Sequence, residues 1–329
     1  MRICIPIQFK AQGGGFYFLR NLENYLHRNE IIVHHDLETP FDVLFTTHWM
    51  TPRHSIIKGL RENPMARVVQ RIDGAAQDYG RGPEADAQQA SINELVDLTI
   101  FQSQYARHAT RQKFQVVRQD GPVIYNPVDI ELFTPIGPSL ELGGDVRVAC
   151  VTWSTNPLKG SAKIYATALA NPMVDFFLCG NYPDAPMLDN LHVLGVLDRS
   201  NLARLLRSCH LLLTYSRNEA CPNHVLEALS CGLPVLFWDS GAMSELIGDC
   251  GLPLNNINFY NQMQKLMNRH QEMSLKARQR ALSNFHADMI FLQYLNEIKK
   301  VFERPPSLSL VKRQLLALST IISRQGKND

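Results

Sequence analysis

A chain of 329 residues, 45% hydrophobic and 19% charged, has room for two domains with separate buried cores and the composition of a folded globular protein. A net charge of only +2 leaves no chain-wide basic footprint for nucleic acid. Seven cysteines (4, 150, 179, 209, 221, 231 and 250) are odd in number and form no C-x-x-C pair, so they read as small core residues of a reducing compartment rather than disulfides or metal ligands.

The opening MRICIPIQF lacks both an apolar run and a small-residue cleavage site, and is expected to be a first strand rather than a signal peptide. No stretch reaches the roughly 20 apolar residues that span a bilayer, which predicts a cytoplasmic protein. The strand, Ile3 to Ile7, runs into Gln12-Gly13-Gly14-Gly15 before a helical pattern at Phe18, Leu19, Leu22 and Leu26. Glycines between strand and helix let backbone approach a phosphate or sugar, although a plain tight turn fits equally well. The spacing is not that of the G-x-G-x-x-G dinucleotide fingerprint. Further strands at Ile31 to His34, Val43 to Thr46, Val68 to Arg71 and Leu98 to Phe101 alternate with helical stretches, which predicts a parallel, doubly wound sheet. Ligands of such sheets lie beyond the carboxyl ends of the strands, which singles out His48, Arg71, Asp73, Gly74, Gln102 and Ser103. For Arg71 and Asp73 the bland alternative is an ion pair that ties down a loop. For His48 it is a hydrogen-bonded structural histidine.

A second set of strands begins at Val146 to Val151, followed by WSTNPLKG and a helix from Ser161, so that Lys159 offers a mobile point charge at a helix start. Phe176 to Leu178 runs into Cys179-Gly180-Asn181, and Leu191 to Val196 precedes a helix from about Ser200 to Ser208. Leu211 to Tyr215 reads as a buried strand, then comes a polar loop with Glu219 and a helix from about His224 to Cys231 that stops at Gly232 and Pro234. Asn223 is the expected N-cap. The first-turn amides of His224, Val225 and Leu226, with the helix dipole behind them, make a phosphate site. Glu219 stands at the mouth of that loop and Glu227 one turn into the helix, so one carboxylate can face a sugar and the other a ribose hydroxyl. Val235 to Trp238 makes the next strand, about Asn258 to Leu282 is helical, and Phe285 to Phe302 is a long amphipathic helix. After Pro305-Pro306 a tail with apolar positions 308, 311, 315, 318 and 322 and basic Lys312, Arg313, Arg324 and Lys327 reads either as a helix packed on its own protein or as a weak membrane-surface helix.

The run from Glu219 to Val235 resembles the E-x7-E motif and the following "EAxAxGxPV" segment of the retaining glycosyltransferases of family 4. The resemblance implies a GT-B fold: two Rossmann-like, doubly wound parallel-sheet α/β domains facing a central cleft, with a C-terminal helix crossing back to the first domain. It implies residues 1–138 for the acceptor-side domain, 139–285 for the nucleotide-sugar domain, 286–304 for the crossover helix and 305–329 for the tail. Val123 to Pro135 resembles the family's "viyNGVDxxxFxP" signature with Pro127 in place of Gly, and would close the first domain ahead of a linker at Pro135 to Asp145. By the same resemblance Glu219 contacts the donor sugar near its reacting carbon and Glu227 holds the ribose. Pro222, Asn223, His224 and Val225 then flank the donor, and Gly14 and Gly15 lie between the diphosphate and the acceptor. Ser154 and Asn156, with Trp153, stand where the family often has an arginine, which leaves Lys159 to neutralise the diphosphate, with Arg71 or Arg217 helping. Gly180 and Val196 border the base through backbone atoms, and Asp73 stands where the family often has histidine. Gly241 to Glu245 resembles the "GGxxE" loop with Ala242 as the second position.

The activity so implied is transfer of a hexosyl group from a nucleotide diphosphate sugar to a hydroxyl acceptor (a glycan, a lipid-linked or a small molecule) with retention, as in polysaccharide biosynthesis. It needs neither cofactor nor metal, and the chain lacks the Asp-x-Asp of metal-assisted transferases. Expected partners are the nucleotide sugar and its acceptor, not nucleic acid, with peripheral membrane contact through 308–324 as the tail's second reading. Competing readings are a nucleotide-sugar epimerase of related fold and a non-catalytic sugar-nucleotide-binding protein. A dehydrogenase would need the missing dinucleotide fingerprint.

Overall fold

In a computed structural model of the chain, residues 1–7, 14–47, 51–114, 117–254 and 258–307 are described. His48, Gln12, Gly13 and the amphipathic tail from 308 onward therefore lie outside the described residues. The chain divides into two compact units, one formed by Met1–Ile124 and the segment from Phe291, the other by Tyr125–Ile290.

The first unit contains a six-stranded sheet of β1 (Arg2–Cys4), β2 (Ile32–His34), β3 (Val43–Thr47), β4 (Arg67–Ile72), β5 (Leu98–Phe101) and β6 (Asp120–Val123), in the order β2-β1-β3-β4-β5-β6. Every pairing is parallel. Helices α1 (Gly14–Arg28), α2 (Arg53–Glu62), α3 (Pro83–Asn93) and α4 (Gln104–Lys113) fill connections between strands, as parallel pairing requires. Phe18, Leu19, Leu22 and Leu26 on α1 are buried at the predicted spacing, but Gly14 and Gly15 belong to the first turn of that helix and not to a loop ahead of it.

The second unit holds β7 (Arg147–Thr152), β8 (Asp175–Gly180), β9 (Leu191–Gly195), β10 (Leu211–Thr214), β11 (Val235–Phe237) and β12 (Gly251–Pro253), in the order β12-β11-β10-β7-β8-β9. All five pairings are parallel, and this is the Rossmann order, with the switch in winding direction between β7 and β10. Its helices are α5 (Ser161–Leu169), α6 (Arg199–Ser208), α7 (Asn223–Ser230), α8 (Met243–Ile247), α9 (Phe259–Met267) and α10 (His270–Asn284). The helical stretch expected at 258–282 is thus two helices. The central strands β7, from Val148 on, and β10 are buried, as their apolar runs require. The edge strands β6 (DGPV) and β12 (GLP) carried no strand signal; glycine and proline are tolerated there because an edge strand needs partners on one side only.

The last helix among the described residues, α11 (Ala287–Phe302), starts in the second unit and runs on in the first, where Phe291 and Tyr294 pack their rings against Phe18 (5.8 and 5.2 Å between centroids), with Tyr25 and Phe45 beside them. The first unit ends earlier than the expected 138. The 125–140 segment is bonded into the second unit: Asn126 donates to Cys221, the carbonyl of Phe133 accepts from Ser230 and Arg278, and Leu140 pairs with the Ser208 hydroxyl. The 125–140 segment is therefore a strap laid along α6, α7 and α10, and the expected linker, Pro135 to Asp145, begins within it.

Candidate active site

The second sheet places its switch point between the ends of β7 and β10, and the loops leaving those two strands carry Lys159 and Glu219. The register Leu211↔Val148 and Leu212↔Ala149 sets the strands side by side. After β7 the chain makes a tight turn in which Ser154 Oγ accepts from the Asn156 amide at 3.2 Å and Asn156 Oδ1 from the Leu158 amide at 2.9 Å. Ser154 and Asn156 thus shape the loop, and a single 3₁₀ turn, Pro157–Lys159, follows. Gly160 closes it at φ 78°, where a Cβ would lie 2.5 Å from the Cβ of Tyr215 and 2.8 Å from its carbonyl. Glycine is needed here because the two loops touch, and the Arg217 amide donates to the Leu158 carbonyl at 2.8 Å.

Across this contact Lys159 Nζ is ion-paired with Glu219 Oε1, the lysine side chain 14% and the glutamate 7% exposed. Glu219 is fixed from behind. Its carbonyl accepts from Ala242, and Gly241, at φ 67°, lies so close that a Cβ would sit 2.5 Å from the Glu219 amide nitrogen and carbonyl oxygen. The Gly241 to Glu245 loop is thereby a backstop for the first carboxylate.

The helix start differs from expectation in one respect. Pro222, buried and extended, is the N-cap of α7, without a side-chain cap, and Asn223 is the first helical residue. The Asn223 side chain is occupied elsewhere: its Oδ1 accepts from Asn126 Nδ2 at 2.8 Å, and the same amide group donates to the Cys221 carbonyl at 2.8 Å. The Val225 amide is taken by the Pro222 carbonyl at 3.1 Å, so it does not point to a ligand as expected. Asn223 is half-buried and the remainder of α7 is buried. His224 Nε2 sits 3.4 Å from Thr214 Oγ1, and burial pushes the imidazole down to about 4, with Lys159 adding to that and Glu219 opposing it. The ring is neutral near pH 7, so cationic charge at this end comes from Lys159 and the helix start.

Glu227, 6% exposed, has its own cation in Arg199, whose Nη1 donates to Oε1 at 3.0 Å. Burial raises the Glu227 pKa and Arg199 counteracts it. Burial holds the Cys179 thiol, at the end of β8, at about 11, and the Glu227 charge adds to that. Gly180 lies there at φ 114°, where a Cβ would be 1.7 Å from the Thr152 carbonyl, and Val196, half exposed, follows β9. The two carboxylates therefore have different partners: Glu219 pairs with Lys159 at the switch point, and Glu227 with Arg199 at the start of α6. Sequence reasoning missed Arg199 and Asn126. The only available signals were a cation at a helix start, where the dipole disfavours it, and the first polar residue of the "YNPVD" run.

In the first unit, Arg71 and Asp73 leave the end of β4 as an ion pair, with Gln102 Nε2 donating to the same carboxylate. Arg71 is 1% exposed. Its guanidinium lies 3.9 Å from the Phe18 ring centroid, and its Nε donates to the Tyr294 hydroxyl at 3.1 Å. A cation so enclosed props up Asp73, which is half-buried, and this is the ion pair named as the alternative reading of these two residues. All seven cysteines are free and buried, as composition predicted.

Residues 162–269 match the family described as Glycosyl transferases group 1. No curated protein matches the chain by sequence. Among solved structures the chain is similar to a sucrose-phosphate synthase from Thermosynechococcus elongatus (16% identity, TM-score 0.75, covering 92% of this chain and 99% of that one). It is also similar to Anabaena HepE in complex with UDP-glucose (17%, 0.74, 91% and 100%) and to a glycosyltransferase from Rickettsia africae (13%, 0.65, 91% and 84%). The shared architecture is GT-B, and with the matched domain it makes the chain a glycosyltransferase. Among the described residues no helix is long and apolar enough to cross a membrane.

Proposed function

We propose that the chain moves a hexosyl group from a nucleotide diphosphate sugar to a hydroxyl acceptor, with retention and without a metal. The observation that carries this reading is the Lys159–Glu219 pair, assembled from two loops at the switch point of the second sheet and next to the start of α7. A UDP-linked donor is favoured because the Anabaena relative of the same fold was solved with UDP and with UDP-glucose. That relative was also solved with UDP and glucose, which supports a hydroxyl-bearing acceptor.

When donor binds, diphosphate oxygens replace Glu219 as the partner of Lys159, and the freed carboxylate accepts hydrogen bonds from sugar hydroxyls near the reacting carbon. Leaving-group departure builds negative charge on the distal phosphate, which Lys159 and the dipole of α7 stabilise more strongly than in the ground state. The departing phosphate oxygen takes the acceptor's proton on the same face, so neither Glu219 nor Glu227 acts as nucleophile, unlike the paired acids of retaining hydrolases. Glu227 accepts from the ribose hydroxyls, and the backbone near Gly180 and Val196 borders the base. Asp73, braced by Arg71 and Gln102, serves the acceptor side. The first unit selects the acceptor, a glycan, a lipid-linked or a small molecule.

Titration with UDP- and GDP-sugars tests the binding half of the proposal, and transfer assays of Glu219→Gln test the chemical half. Binding of at least one donor, and a Glu219→Gln variant that binds nucleotide yet loses turnover, are the expected results. Failure to bind any nucleotide sugar, or wild-type turnover in Glu219→Gln, would overturn it. Free nucleotide released at full rate without an acceptor would instead indicate an epimerase-like elimination.

A further inference from the structure

Arg199 is the first residue of α6, and a cation there works against the helix dipole. Its neighbours account for the position. Nη1 donates to Glu227 Oε1 at 3.0 Å, and the guanidinium lies 4.8 Å from the centroid of the Phe133 ring. Phe133 is fully buried and cannot yield, since its carbonyl accepts from Ser230 Oγ at 2.5 Å and from Arg278 Nη1 at 2.9 Å. A planar guanidinium pressed on a fixed ring has few rotamers left, and its fork then dictates where the carboxylate oxygen stands. Arg199 remains a third exposed while Glu227 is almost enclosed.

We propose that Arg199 is a positioning residue for the donor site: clamped on Phe133, it holds the Glu227 carboxylate ionised and in one orientation so that the remaining lone pairs face the ribose hydroxyls. The inference rests on the reading of Glu227 as the ribose contact. The physical need is plain, because a carboxyl buried to this degree takes up a proton unless a cation opposes it. Two other titratable groups feel the Glu227 charge, the Cys179 thiol at the end of β8 and the Cys231 thiol past the end of α7. Burial pushes these up to about 11 and about 12, so neither changes charge near neutrality. Arg199 is then the group that sets the protonation state of Glu227, and a protonated carboxyl is a poorer acceptor for two ribose hydroxyls.

The test is isothermal titration of the full chain with UDP-glucose, and with a GDP-hexose in parallel, since a diesterified diphosphate does not titrate in this range, from about pH 8.5 down to about pH 6, on wild type, Arg199→Gln, Arg199→Lys and Glu227→Gln. Thermal melts check that each variant is folded. Arg199→Gln should bind on the order of thirtyfold more weakly, the scale of truncating one partner of a buried charge pair, and should weaken further as pH falls, while wild type stays flat. Arg199→Lys should restore the flat profile and part of the affinity. Glu227→Gln should be weak and independent of pH. If Arg199→Gln reproduces the wild-type affinity and profile while Glu227→Gln is weak, the clamp is refuted and the ribose contact stands. If Glu227→Gln binds as wild type does, the ribose reading falls and this inference with it. Should Arg199→Gln not fold, a pH dependence in Arg199→Lys as steep as that of an unpaired carboxyl would refute the clamp, and a flat one would support it.

Discussion

Each of the two sheets presents an ion pair at the carboxyl ends of its strands, and the two pairs are built in opposite ways. Arg71 and Asp73 are two residues apart on one strand end, and the arginine is sealed by Phe18, Thr47 and Tyr294. Lys159 and Glu219 are separated by 60 residues, meet only because β7 and β10 are neighbours, and sit on loops held by backbone bonds and by Gly160 and Gly241. What surrounds the cation decides what it can do. A guanidinium enclosed on all sides cannot change partners and acts as a prop, whereas a lysine ammonium on a flexible four-carbon stem is able to swing from a carboxylate to a phosphate, as the proposed donor site requires.

Four experiments sharpen or break this contrast. Arg71→Met should cost the most stability, about 3–5 kcal/mol, since it leaves a partly buried carboxylate without its cation; chemical denaturation measures it. A loss under about 1 kcal/mol would make Arg71 no prop at all. Lys159→Ala should act mainly on the reaction, lowering kcat/KM by about 10²–10³-fold, or about 3–4 kcal/mol of barrier, in transfer assays at saturating acceptor.

The third concerns pH. His224 has a folded-state pKa of about 4, below its ordinary 6.5, so between those values the unfolded chain binds more protons and stability falls as pH falls. The full effect is on the order of 3 kcal/mol below the folded pKa and absent above about pH 7. Glu227, with its raised pKa, works in the opposite direction, gaining stability as pH falls through its folded value. His224→Gln should therefore lose less stability than wild type on acidification, as equilibrium unfolding from about pH 7 to about pH 4 would show. The smallest effect belongs to Gly241→Ala, about 1–3 kcal/mol of backbone strain from a positive φ and a clash with the Glu219 backbone. Because the displaced group is the first carboxylate, donor turnover should fall more than the melting temperature suggests.

The part of this site legible in sequence was local. The apolar runs of β7 and β10, the glycine and proline that end α7, and the carboxylates at 219 and 227 follow from residue order, since burial and helix stops act over a few residues. Where the reading slipped, a competing partner was the cause. Asn223 has the chemistry of an N-cap, but Asn126, 97 residues earlier, takes its oxygen. Arg71 stands at a strand end where a ligand contact and an ion pair were both open, and Tyr294, 223 residues later, helps to enclose it within the pair.

Residue order by itself determined two parallel sheets, the helix that begins beside Glu219, and the buried, unreactive state of the cysteines, because periodicity and side-chain volume are written position by position. Tertiary structure alone decided that Lys159 answers Glu219, that Arg199 answers Glu227, and that the 125–140 strap belongs to the second unit. Those pairings depend on which strands lie side by side, and strand order is set by the packing of the whole core rather than by any stretch within it.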